Sequence, residues 1–387
     1  MNLRVAVIHP GLVPGGGSEA CAMWTLQALQ DDHRLTLITT GRPDLAGLNR
    51  QYGTDVDPGR VEGRLVGAPP GTRKRFDALR GFRLSRYCRR HASDFDLMIS
   101  AYNVMDFGVP GIQRVADFSF DDRLRRELHT ESRAGAFHGR SPLRTSYLAL
   151  ARALAGTGDD GWKRNTTIAN SQWTRNMLLD RFGVASIVVY PPVAGGYPSV
   201  PWNEREDGFV AMGRLAPEKG LRRVIGILAD VRRERPVHLH ILGRRERNAF
   251  AREIDEICRR NGDWIHLEGE VYGPEKAAFL AGHKYGISGC RNEAFGIAVA
   301  EMVKAGMLVW VPDGGGQKEI VAHPGLIYAS EDQAVLLIRT ALGDPRVESA
   351  LRAHLEVQAG LFSSRRFVGE MRAVVRDFLK EDHDRAA

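Results

Sequence analysis

Short apolar runs that stop at a glycine-bearing loop and give way to a helical pattern recur along this chain, and nothing else in it narrows the fold so far. Residues 5–8 are followed by Gly11-Leu12-Val13-Pro14-Gly15-Gly16-Gly17-Ser18-Glu19, a helical stretch over 20–29 and a second strand at 35–40. Strands joined through a helix run parallel, because the crossover carries the chain back to the edge it left. The rhythm restarts at 208–215, with a loop at Ala216-Pro217-Glu218-Lys219-Gly220, a helix over 221–232 and a strand at 237–242. Further strands are expected at 97–100, 112–122, 166–171, 187–190, 264–267, 285–287 and 308–311. Two parallel sheets are therefore predicted, and their loops share one edge of each sheet, where open α/β sheets bind ligands.

A chain of 387 residues exceeds what one core usually fills. The stretch Pro191-Pro192-Val193-Ala194-Gly195-Gly196-Tyr197-Pro198 breaks both periodicities and reads as the boundary. We expect a first domain over 1–195, a second over 196–365 and a closing helical segment over 366–387.

Composition removes several classes. No apolar run approaches the roughly 20 residues of a membrane-spanning helix. Residues 1–8 read as a buried strand rather than a signal peptide, so a cytoplasmic location is expected. Cys21, Cys88, Cys258 and Cys290 are scattered without a CxxC pair, which argues against zinc and against a disulfide framework. The net charge of +7 is uneven, with 26 Lys and Arg against 19 Asp and Glu in residues 1–200 and 28 against 28 thereafter. Much of the excess lies in 73–90, where Arg73, Lys74, Arg75, Arg80, Arg83, Arg86, Arg89 and Arg90 interleave with Phe76, Leu79, Phe82, Leu84 and Tyr87. At helical spacing this gives either a surface for anionic lipid headgroups or a solvated face over a buried aromatic stripe. No recognised nucleic-acid motif accompanies it.

Chemistry concentrates in Gly289-Cys290-Arg291-Asn292-Glu293-Ala294-Phe295-Gly296-Ile297 and the helix that follows through Glu301 and Met302. Glu293 falls in the turn and Glu301 a little over one turn into the helix. Ala294, Phe295, Gly296 and Ile297 sit at its N-terminus, whose unpaired amides attract phosphate or hydroxyl oxygens. Two solvated glutamates on an ordinary helix would give the same short pattern. The glycine loop at 11–19 has the strand-loop-helix form of a phosphate cradle but neither GxGxxG nor a GK[ST] ending. Asp55-Val56-Asp57 and Asp94-Phe95-Asp96 read as solubilising loop residues rather than a metal site.

Taken together these residues resemble the retaining glycosyltransferases of the GT4 type. The likeness rests on Gly15 to Glu19, Ala169-Asn170-Ser171, Gly213-Arg214-Leu215 through Lys219-Gly220, and Leu239-His240-Ile241-Leu242-Gly243. Glu293 with Glu301, and Gly314-Gly315 through Glu319-Ile320-Val321, complete a set that keeps the family's order over nearly the whole chain. The resemblance implies an α/β GT-B fold, two Rossmann-like doubly wound parallel-sheet domains facing each other across a deep cleft. It implies a metal-independent transfer of a hexose, without cofactor, from a UDP- or GDP-sugar to an acceptor hydroxyl, by same-face attack in which the leaving phosphate takes the proton.

Roles follow from the same likeness. Arg214 and Lys219 would hold the donor diphosphate, Glu301 the ribose diol and Glu293 the sugar hydroxyls. Amides of Ala294, Phe295, Gly296 and Ile297 would meet sugar and phosphate, and the loop around Val271 the base. Gly15, Gly16 and Gly17 would let the first domain's backbone near the diphosphate on closure. Asp117 stands where many relatives carry a histidine, and His9, His129 and His138 are the stand-ins on offer. A lipid-linked or glycan acceptor is expected from the basic first half, with residues 73–90 on an anionic membrane surface. A soluble acceptor, an epimerase or phosphorylase on the same fold, and a non-catalytic nucleotide-sugar-binding module are the alternatives.

Overall fold

The computed structural model describes residues 2–12, 15–67, 77–129, 146, 160–193 and 195–386, with backbone alone at 77–80 and 382–386. Arg73, Lys74, Arg75 and Phe76 of the basic stretch, Val13 and Pro14 of the glycine loop, Ala194 and His138 lie outside the described residues. The chain forms two compact units, the first of Met1–Arg126, Arg133–Pro192 and Ser364–Ala387, the second of Glu127–Ser132 and Val193–Ser363.

In unit 1 the strands are β1 (Arg4–Ile8), β2 (Arg34–Thr39), β3 (Val61–Leu65), β4 (Leu97–Ser100), β5 (Ile112–Val115), β6 (Thr166–Ala169) and β7 (Ile187–Val188). They make one parallel sheet in the order β3-β2-β1-β4-β5-β6-β7. Side chains alternate across β1, so Val5 and Val7 enter a core with helix Gly17–Leu29 while Ala6 and Ile8 enter another that includes Leu84 and Cys88 of helix Asp77–Arg90. That two-faced burial is what doubly wound means physically. The last helix, Ser364–Ala386, adds Phe367, Met371, Val374, Val375 and Phe378 to the first of these cores. These positions form one apolar stripe, and each such side chain contributes roughly 1.5–3 kcal/mol when fully buried.

β5 is shorter than the strand expected over 112–122, and the cause is local. The amides of Ala116 and Asp117 donate to the Asn103 side-chain oxygen at 3.0 and 3.2 Å, so the chain leaves the ladder there. β3 buries only Val61 of its five residues at the sheet's edge, which left no alternation to read.

Unit 2 holds β8 (Glu206–Met212), β9 (His238–Leu242), β10 (Ile265–Gly269), β11 (His283–Ile287), β12 (Leu308–Pro312) and β13 (Ile327–Tyr328), all parallel, in the order β10-β9-β8-β11-β12-β13. The sheet turns about a core in which Phe209 lies 5.1 Å from Tyr285 and 5.9 Å from Trp310, ring to ring. From β8 the chain winds one way through β9 and β10, then returns to the other side of β8 for β11. The loops leaving β8 and β11 therefore flank the point where the winding reverses. Among the described residues no helix is long and apolar enough to cross a membrane.

Candidate active site

The loop after β8 closes on the 3-10 turn Pro217–Lys219 and on Gly220, whose φ is 64°. A Cβ at Gly220 would stand 2.2 Å from the Gly289 carbonyl oxygen, so only glycine lets the two loops meet there. That contact puts Lys219 against Glu293, with Nζ to Oε2 at 2.5 Å and each side chain about a quarter exposed. Burial would push the Glu293 carboxyl up, but the Lys219 ammonium outweighs it and holds Glu293 below the usual carboxylate range. Lys219 is raised by the same pairing against its own burial. Cys290 lies beside Glu293, its thiol pushed up to about 12 by burial and then by that carboxylate.

A third loop braces the pair. Gly316 N donates to Glu293 O at 2.8 Å, and the Gln317 amide donates to the Cys290 carbonyl. Gly315, at φ 70°, could carry no Cβ, which would fall 2.2 Å from Glu293 O. The motif at 314–321 thus acts through backbone contact with the Glu293 turn. Residues 127–129 also belong to unit 2: Asn292 donates to Leu128 O at 2.6 Å, and His129 adds to the electrostatic hold on Glu293.

Helix Ile297–Lys304 starts at Gly296, φ 101°, which offers no side chain to cap the first amides. Ala294 and Ile297 are partly exposed, whereas the Phe295 ring is buried 5.5 Å from Phe362, so Phe295 has only its backbone to offer a ligand. Glu301 pairs with Lys276, Nζ to Oε1 at 2.6 Å, on the neighbouring helix Gly273–Ala281. Tyr197 is raised by burial and by Glu301. Val271 follows β10 and is half-buried. Arg214 bonds Glu246 at 2.7 Å and Glu218 at 3.0 Å. Its guanidinium is raised because these carboxylates outweigh desolvation. Each cation assigned to the diphosphate is thus already held by a carboxylate. Sequence reasoning missed Lys276 and Glu246, whose partners lie 25 and 32 residues away, and also Glu218, although Arg214 is only one helical spacing from it.

Unit 1 has its own reversal point between β1 and β4. His9 follows β1, is 2% exposed and accepts from Gly11 N at 3.2 Å. Burial lowers it to about 4, so the ring is neutral at pH 7. Tyr102, after β4, is pushed up to about 12 by burial and then by Asp117, and its ring lies 5.6 Å from that of His9. Asp117 accepts from the Asn103 side chain at 2.8 Å and from Ser119 N at 2.9 Å, which makes it the anchor of a tight turn. Asn170 of the 169–171 motif donates to Ala116 O at 2.8 Å and so steadies that turn. Gly15 N and Gly16 N both donate to the Tyr52 hydroxyl, at 3.1 and 3.2 Å, and Gly17 begins the helix. On helix Asp77–Arg90, Arg83, Arg86 and Arg90 are exposed, while Arg89 bonds buried Asp106 at 2.8 Å.

Residues 198–357 match the family of glycosyl transferases group 1. A human protein, GDP-Man:Man(3)GlcNAc(2)-PP-Dol alpha-1,2-mannosyltransferase, is 24% identical over 57% of this chain, which spans about half (49%) of that relative's length. Sucrose-phosphate synthase from Thermosynechococcus elongatus superposes with a TM-score of 0.71 at 15% identity, over 98% of this chain and 99% of that one. HepE from Anabaena, solved with UDP and glucose, gives 0.66 at 15% identity, over 97% of this chain and all (100%) of the other. The chain takes the GT-B fold, and over residues 198–357 it is similar to the group 1 glycosyl transferases.

Proposed function

We propose that this chain is a retaining hexosyltransferase of the GT4 type, moving a hexose from a UDP- or GDP-sugar to an acceptor hydroxyl without a metal in the transfer step. The Lys219–Glu293 pair, seated where the winding of a group 1 domain reverses, carries the reading. A departing diphosphate gathers negative charge, and an ammonium fixed at that place lowers the barrier. Lys219 has three donors, so its bond to Glu293 leaves capacity for phosphate oxygens. Glu293, kept ionised by Lys219, is an acceptor for sugar hydroxyls, and the amides at 296–297 complete the oxyanion surroundings. Glu301, fixed by Lys276, suits a ribose diol.

The acceptor is lipid-linked, and the protein works at the cytoplasmic face of an anionic membrane. The exposed Arg83, Arg86 and Arg90 support this, each Arg near such a surface contributing about 1 kcal/mol. The human relative's name pairs GDP-Man with a PP-Dol acceptor, which makes those the first substrates to try.

The test is a melting screen of the full chain against UDP, GDP, ADP and their sugars, followed by transfer to lipid-linked glycans with the product anomer read by NMR. A stabilising donor and a product of unchanged anomeric configuration are expected. An inverted product, or conversion of donor without acceptor, overturns the reading. Flotation with anionic vesicles at low ionic strength tests the membrane part, which fails if no protein floats.

A further inference from the structure

The opposite edge of unit 2's sheet, where its strands begin, holds a cluster the transfer does not use. Glu206 opens β8, His238 opens β9 and His283 opens β11, with His240 two residues along β9 on the same face. One ligand atom from each of these four lies within 4.8 Å of the others. The Nε2 atoms of His238, His240 and His283 are buried, and none makes an aligned hydrogen bond. Glu206 Oε1 nevertheless stands 2.9 Å from His238 Nε2 and 3.9 Å from His240 Nε2, and Glu206 Oε2 stands 3.2 Å from His283 Nε2.

The far sides of two rings are fixed. His240 Nδ1 lies 2.7 Å from a Glu268 oxygen, and His283 Nδ1 lies 2.6 Å from the Phe279 carbonyl oxygen. A proton held on Nδ1 by those acceptors leaves the Nε2 lone pair turned toward the cluster, as in the carboxylate-histidine-metal arrangement. Room for the rings comes from Gly208, where a Cβ would fall 2.4 Å from His238 Nε2 and 3.0 Å from His283 Cδ2. The ring centroids of His238 and His283 stand only 5.0 and 4.7 Å from that of His240.

From this arrangement we infer a site for a divalent ion of the zinc class, held by His238, His240, His283 and Glu206 and tying together the first residues of β8, β9 and β11. Bonds of about 2.0–2.1 Å to nitrogen and oxygen give a tetrahedron with edges of about 3.4 Å. The three separations from Glu206, 2.9 to 3.9 Å, bracket that value. Imidazole with a single carboxylate favours zinc and its neighbours over magnesium or calcium, which take oxygen ligands. The cysteine pattern gave no hint of it because no thiolate takes part. The ion's place at the strand starts makes it a structural tie, compatible with a transfer step that needs no metal.

The test takes the full chain stripped with chelator and titrates it with cobalt and then zinc. One equivalent of cobalt is expected to give the visible bands of a four-coordinate ion, bleached by zinc, with a rise in melting temperature. His238→Gln and Glu206→Gln, both at the rim of the cluster, should each weaken zinc binding at least tenfold while leaving the circular dichroism and the melting point in chelator unchanged. Glu268→Gln should weaken it about 10–100-fold through loss of ring orientation. No binding at millimolar zinc overturns the inference. So does binding that these variants leave intact, which would reduce the cluster to an ion-pair network around Glu206.

Discussion

The two sheets present the same edge in opposite chemical states. In unit 2, Arg214, Lys219 and Lys276 are each matched to a glutamate across the reversal point or beside it. In unit 1 the corresponding edge holds His9, lowered to about 4 by burial and so neutral at pH 7, and Tyr102, raised to about 12 by burial and then by the Asp117 carboxylate beside it. Paired charges suit a ligand whose own charge changes during reaction, since a cation can share its donors without moving. Neutral buried groups suit recognition of hydroxyls, which bring no charge. On the proposed function, unit 2 handles the diphosphate and unit 1 chooses what receives the sugar.

The sharpest way to break the contrast is to neutralise the unit 2 pair. Glu293→Gln and Lys219→Met should each lower kcat about 10²–10³-fold with the melting temperature within a few degrees of wild type. Unchanged turnover would strip the pair of its role. Next in size is the acid response of unit 1. His9 titrates near 4 in the folded chain against 6.5 ordinarily. The unfolded chain is thus protonated first as the pH falls, and stability is lost between those values by up to about 3 kcal/mol. Urea unfolding at pH 7 and pH 4 should show His9→Gln losing that much less than wild type; equal losses would mean His9 is not held neutral. The smallest effect belongs to Lys276, which fixes Glu301. Lys276→Met should raise the donor KM about tenfold with kcat nearly unchanged, the size of one charge-assisted hydrogen bond. A fall in kcat instead would place Lys276 in the reacting centre.

Much of unit 2 was legible because glycine and charge are local signals there. Gly220, Glu293 and the 297–304 helix sit where the strand-loop-helix rhythm puts them. The pairing of Arg214 with Glu246, of Glu301 with Lys276, and of Gly15 and Gly16 with Tyr52 could not be read, because partners brought together by crossovers leave no spacing to detect. Asp117 illustrates a different limit. Its residue type was plain, yet its work as a turn anchor depends on Asn103, whose φ of 54° is itself invisible in the sequence. The carboxylate partners of Arg214 and Lys219 were out of sight in the same way, so that each positive charge arrives with its counterion.

Helix Ser364–Ala386 finishes a core that the first residues begin, with Arg372 bonding Ala28 O at 2.7 Å. On the ribosome the segment carrying Phe367, Met371 and Phe378 is made after all of unit 2. During that interval the apolar flank formed by Val5, Leu26 and Leu29 waits uncovered, so the earlier-synthesised lobe matures last and is the one exposed to misassembly in the meantime.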